Sequence, residues 1–144
     1  MKKYGRYIFI ATVSMALYLA VLFFCTLYDF SDTGISIGHM FLGIRSDKWI
    51  HFAMFFPYPF VCRGLLSIFY PFRRRRHITS LTIFVSGVLL AAITELFQFW
   101  FTDYRSMDFY DSLADVIGVM SAVLVSHYLF HYMLSAKKSP ATSH

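Results

Sequence analysis

The sequence predicts an all-α membrane protein with four transmembrane helices and both termini on the cytoplasmic side. Three observations carry that reading. First, the 144 residues are 58% hydrophobic and 20% aromatic but only 15% charged, with a mean hydropathy of +0.56. A soluble domain carries about 25% charged residues. Second, apolar segments at residues 7–28, 49–72, 78–101 and 113–134 take up most of the chain. Each is close to the roughly 20 residues that a bilayer crossing needs. Third, Lys2, Lys3 and Arg6, then Arg73, Arg74, Arg75 and Arg76, then Lys137 and Lys138 fall in three short stretches outside those segments, and all eight acids lie elsewhere. This is the asymmetry that sets orientation, with Lys and Arg on the inside. The length fits one domain, residues 1–144.

Residues 7–28 contain no charge and are bounded by Tyr7 and Tyr28, which suit the headgroup level. They are too long for a signal-peptide core and end in no small-residue cleavage site, so they read as a retained first span. Residues 29–47 form a linker with Gly34, Gly38 and Gly43, containing a short amphipathic turn near residues 37–44. The second span follows, with Ser46 or Asp47 as its helix cap. Asp47 and His51 are four apart and share a face. Pro57 and Pro59 kink this span, which a membrane tolerates where neighbours satisfy the freed carbonyls. Arg63 lies deeper and is read as snorkelling to the inner face; a polar partner inside the bundle is the alternative.

The basic run at residues 73–76 is the inner turn. Despite the net charge of +5, it does not point to nucleic acid, because such runs beside a span orient it or meet anionic lipid heads. In the third span, Glu95 sits six residues before the end, about 9 Å below it at 1.5 Å per residue. Gln98 lies one turn further out on the same face. An outer turn leads to the fourth span, where Gly118 and Ser121 permit close helix approach. Asp108, Asp111 and Asp115 follow the i, i+3, i+7 spacing of one helical face. The pair His127 and His131 reads as packing rather than a metal site. Cys25 and Cys62 fall inside apolar runs and read as small core or lipid-facing residues.

This layout brings Asp47, Lys48, His51, Glu95, Gln98, Arg105, Asp108, Asp111 and Asp115 to one level at the outer ends of three spans. Ionisable residues at such depth are costly and are functional candidates by default. Lys48 and Arg105 can grip a phosphate or carboxylate. Glu95, His51 and Asp111 are the candidates for acid–base work. A carboxylate beside a histidine can hold a divalent ion, but the spacing assigns no metal and leaves any cofactor unknown. The bland reading is an ion-pair network of Glu95, Lys48 and Arg105 that locks the helices together.

Three stretches carry a resemblance: D-K-W-I-H-F at residues 47–52, E-L-F-Q at 95–98, and R-S-M-D-F-Y-D-S-L-A-D-V-I-G at 105–118. Their order and spacing resemble the D-K-x-x-H, E-x-x-Q and R-x-x-D-x-x-D-x-x-A-N-x-x-G pattern of the VanZ-like family of small bacterial membrane proteins. Asp115 departs from it, standing where the family most often has asparagine. The resemblance implies a multi-pass protein of the bacterial plasma (inner) membrane with a cell-envelope role at the outer leaflet. The founding member is associated with low-level resistance to the glycopeptide teicoplanin. The expectation is an outward-facing polar site, embedded in the lipid bilayer, that binds an anionic or glycosylated lipid or a cell-wall precursor. The rivals are a membrane enzyme acting on an envelope lipid head group and a non-catalytic assembly partner.

Overall fold

The computed structural model describes residues 2–28, 40–69, 76–102 and 108–136. Arg105, the basic run at 73–75, the linker glycines Gly34 and Gly38, and Lys137 and Lys138 lie outside these residues, as do the side chains of Arg76 and His131. The order is α1 (Lys2–Leu27), a hairpin of β1 (Met40–Phe41) and β2 (Ile44–Arg45), then α2 (Ser46–Phe55), α3 (Tyr58–Phe69), α4 (Arg76–Phe101) and α5 (Phe109–Ala136).

Among the described residues, three helices are long and apolar enough to cross a membrane: Gly5–Leu27 within α1, His77–Phe101 within α4, and Phe109–Leu129 within α5. Their outward faces carry large apolar side chains, among them Phe9, Leu17, Phe24, Leu81, Leu89, Leu124 and Tyr128. A water-soluble monomer rarely exposes so much continuous apolar surface.

The second apolar run is not one helix. Pro57 and Pro59 lack the N–H groups that would continue the ladder, so α2 ends at Phe55 and α3 starts at Tyr58. Phe60 and Val61 restart the pattern by donating to Pro57 O at 3.1 and 3.2 Å. Carbonyls in the last turn of a helix lack partners within it. Here Tyr18 of α1 supplies one, donating from its hydroxyl to Met54 O at 2.9 Å. The kink expected from the prolines is therefore a full break, repaired by a neighbouring helix.

The amphipathic turn expected near residues 37–44 is, in its described part, the hairpin. Met40 pairs with Arg45 and Phe41 with Ile44. Leu42 at φ 53° and Gly43 at φ 77° form its tip. Two positive φ angles in succession are what a two-residue hairpin turn requires. The Phe41 ring packs edge-on against Trp49, whose indole N–H donates to Phe41 O at 3.3 Å. The hairpin is thereby held against the start of α2.

The core is formed by Leu22, Phe55, Tyr58, Cys62, Ile83, Ala91, Val119 and Val123. Cys62 is thus a core residue, and Cys25 is half-buried. Close approach of α2 and α5 depends on Gly118. A Cβ there would lie 2.6 Å from the Phe52 carbonyl oxygen. Gly87 does the same for α4 and α5, since its added Cβ would meet Val119 Cγ1 at 2.7 Å.

Candidate functional site

The site sits at the hairpin end of the bundle, where α2, α4 and α5 meet. Asp108 begins the local structure of α5. It lies just before the helix and accepts from Tyr110 N through Oδ1 at 2.9 Å, the geometry of an N-cap. That cap starts α5 four residues before the span expected at 113 and fixes the angular positions of Asp111 and Asp115. The start of α2 differs from expectation. Its N-cap is Arg45, with no side-chain cap bond. Asp47 instead accepts from Lys48 N at 3.0 Å within the first turn.

Lys48 ties α2 to α5. Its Nζ lies 2.6 Å from Asp108 Oδ2 and 3.4 Å from Asp47 Oδ2, and it also donates to Asp111 Oδ1. Asp47 Oδ2 is shared with Arg45 Nη2 at 3.1 Å. Partial burial disfavours the charged ammonium, but its hydrogen bonds to Asp108 and Asp111 outweigh burial and raise the Lys48 pKa. The same hydrogen bond, helped by Tyr110 N–H, holds the Asp108 carboxyl below its usual range.

Deeper in, the groups are almost dry. His51 and Asp115 are 4% and 0% exposed. His51 Nδ1 is 3.0 Å from Asp115 Oδ1, and its Nε2 is 3.8 Å from Asp111 Oδ2. Glu95 arrives from α4 and is 2% exposed. Donor atoms of His51, Glu95 and Asp111 all lie within 4.8 Å of one another. Among the described residues, Glu95 Oε1 and Asp115 Oδ2 have no hydrogen-bond partner.

The structure thus gathers Asp47, Lys48, His51, Glu95, Asp108, Asp111 and Asp115 at one place. Gln98 is buried but turned away, since its Nε2 donates to Thr26 O of α1 at 3.0 Å. Among the described residues, five carboxylates face Arg45, Lys48 and one imidazole. The arrangement is acid-rich. It can accept hydrogen bonds from hydroxyls, relay a proton through His51, or hold a cation.

Beside Lys48 opens an apolar groove of about 380 Å³ between α2 and α5, walled by Trp49, Phe52, Leu113, Ala114 and Ile117. Sequence reasoning missed it, because no charge or motif marks it. The one available signal was Ala114, a small residue directly before Asp115.

At the opposite end of the bundle Arg63 is 1% exposed. Its Nε donates to Ser126 Oγ at 2.8 Å and its Nη2 to Ser80 Oγ at 2.7 Å. Ser80 Oγ also lies 3.1 Å from His127 Nδ1. Snorkelling is therefore the wrong reading for Arg63. Hydroxyls on α4 and α5 hold the guanidinium inside the bundle, as the alternative had it. His127 belongs to this packing, its ring 5.4 Å from that of His77.

Comparison of the chain with protein-family models, curated proteins and solved structures finds no match.

Proposed function

We propose that this chain is a VanZ-like integral protein of the bacterial plasma membrane that crosses it four times, with both termini in the cytoplasm. In this reading the hairpin end faces outward and engages the glycosylated or anionic head of an envelope lipid or lipid-linked cell-wall precursor. α2 and α3 are 10 and 12 residues long. End to end they supply about 33 Å of helix, enough for one crossing of a hydrocarbon core of roughly 30 Å.

The observation that carries the reading is that the polar cluster and the apolar groove meet at Lys48. A polar site joined to an apolar channel is shaped for an amphiphile, with the head at the cluster and a chain along Trp49, Phe52 and Leu113. The three ammonium protons of Lys48 already have Asp47, Asp108 and Asp111 as partners. Carboxylates with free acceptor capacity suit sugar hydroxyls, so a glycosylated head is favoured over a bare anion. A link to glycopeptide resistance is part of the same proposal and rests on the motif resemblance.

The test is the lipid carried by the protein when extracted in mild detergent and weighed by native mass spectrometry. Lys48→Ala, Arg105→Ala and the groove-filling Ala114→Phe are each expected to lower bound lipid. Unchanged lipid in all three overturns the reading.

The pairing of His51 with Asp115 favours a second reading, a membrane enzyme acting on such a head group. A histidine oriented by a carboxylate, with Glu95 nearby, is a plausible acid–base pair. Purified protein would then turn over a labelled envelope lipid. Turnover that survives Glu95→Gln removes this assignment.

A further inference from the structure

We infer that His51, Glu95 and Asp111 bind a divalent metal ion. Acids in a cluster do not make a metal site, but three independent features here converge on one point. The donor atoms of the three side chains come from α2, α4 and α5 and lie within 4.8 Å of one another. Ligands about 2.1 Å from an ion stand roughly 3–3.5 Å apart, so a closure of about 1–2 Å between helices completes the set.

The second feature is the orientation of His51. Its Nδ1 is 3.0 Å from Asp115 Oδ1, while Nε2 points toward Asp111 Oδ2. With the Nδ1 proton donated to Asp115, the Nε2 lone pair faces the cluster. Metal-bound histidines almost always donate the other ring N–H to a carboxylate, a backbone carbonyl or a water, and Asp115 is placed for that role. Asp111 is braced similarly, because Lys48 holds its Oδ1 and leaves Oδ2 on the histidine side.

The third feature is Glu95. It is 2% exposed, and its Oε1 has no hydrogen-bond partner among the described residues. A buried carboxylate oxygen without a partner is costly, and a cation among the three donors relieves that cost.

Two carboxylates with one imidazole suit a first-row ion such as Mn²⁺ or Zn²⁺. Ca²⁺ takes oxygen ligands alone. Such an ion also adds the positive charge that a phosphate-bearing head would need. That last step rests on the head-group reading above; the ion site itself does not.

The test is Mn²⁺ titration of the full chain, purified in detergent with chelator and then freed of it, followed by electron paramagnetic resonance. One Mn²⁺ per chain is expected, displaced by Zn²⁺ and not by Ca²⁺, with nitrogen coupling from one imidazole in the pulsed spectrum. Glu95→Gln and Asp111→Asn should weaken binding at least tenfold, and His51→Gln should remove the nitrogen coupling. Asp115→Asn, which only orients His51, should weaken it about 10- to 100-fold. No binding at millimolar Mn²⁺, binding without nitrogen coupling in the wild type, or undiminished binding in Glu95→Gln would each overturn the site. The wild-type spectrum decides the matter even if a variant does not fold. If lipid retention fails while Mn²⁺ binds as described, the head-group reading falls and the ion site stands.

Discussion

Arg63 at one end of the bundle and Glu95 at the other are 1% and 2% exposed. Both arrive on apolar helices, yet their surroundings differ. Arg63 donates through two nitrogens to the hydroxyls of Ser126 and Ser80. Those hydroxyls sit on α4 and α5 and draw three helices together without adding charge. Glu95 shares its place with Asp111, Asp115 and His51, and among the described residues one of its oxygens has no partner. Buried polar groups are normally hydrogen-bonded, and the exceptions need an explanation. The Arg63 end has the satisfied bonding of a fastening, whereas the hairpin end keeps buried acceptors without partners among the described residues, as the proposed binding site requires.

The sharpest way to break this comparison is to remove His51. Asp115 is fully buried, and its Oδ2 already lacks a partner among the described residues. His51→Leu strips Oδ1 of its contact as well and leaves an unpaired buried carboxylate. A loss of about 3–5 kcal/mol is expected in detergent unfolding. The double variant His51→Leu/Asp115→Leu should recover most of that loss. Equal losses in the single and double variants would show that the pair is not the source.

Gly118→Ala comes next. The added methyl meets the Phe52 carbonyl oxygen at 2.6 Å, and backbone cannot step aside as a side chain can. A cost near the top of the 1–3 kcal/mol range for overpacking is expected. Because α2 and α5 are pushed apart, bound lipid should fall too. Ser126→Ala tests the other end. Losing a hydrogen bond to a charged group costs roughly 1.5–3 kcal/mol. Here unfolding should shift while lipid and Mn²⁺ binding stay unchanged, which separates fastening from site.

The smallest effect is pH-dependent. Lys48 holds the Asp108 carboxyl below its usual range. A depressed carboxyl pKa stabilises above the unfolded value, about 3.9, and that stability is lost as pH falls through the folded value. The difference in melting temperature between wild type and Asp108→Asn should be steady above pH 5 and shrink as pH is lowered toward 3. The pair is partly exposed, so its contribution is about 1 kcal/mol or less.

Much of the hairpin end was legible in the sequence. Lys48, His51, Glu95, Asp111 and Asp115 stand out because ionisable groups rarely occur inside apolar runs, and helical spacing alone aligns the aspartates. Pro57 and Pro59 announced the interruption of the second run. Gln98 misled: its i, i+3 relation to Glu95 set it on the right face, but a long amide can swing to a neighbouring helix, and it reaches Thr26 O. The partners of Arg63 were hidden because serine is unremarkable in a membrane helix and nothing local pairs residues 63 and 126. The groove depends on how α2 and α5 cross, which no single stretch encodes. The hairpin turns on two positive φ angles at Leu42 and Gly43, of which only the glycine is visible in advance.

The central claim is that the acid-rich end of the bundle faces out of the cell and the Arg63 end faces in. Single cysteines placed by Asp108→Cys and Lys138→Cys, in a chain with Cys25 and Cys62 replaced by serine, test it directly with a membrane-impermeant maleimide. Labelling is predicted at position 108 in intact cells and at position 138 only after the membrane is opened. Labelling of 138 in intact cells, with 108 protected until permeabilisation, would contradict it.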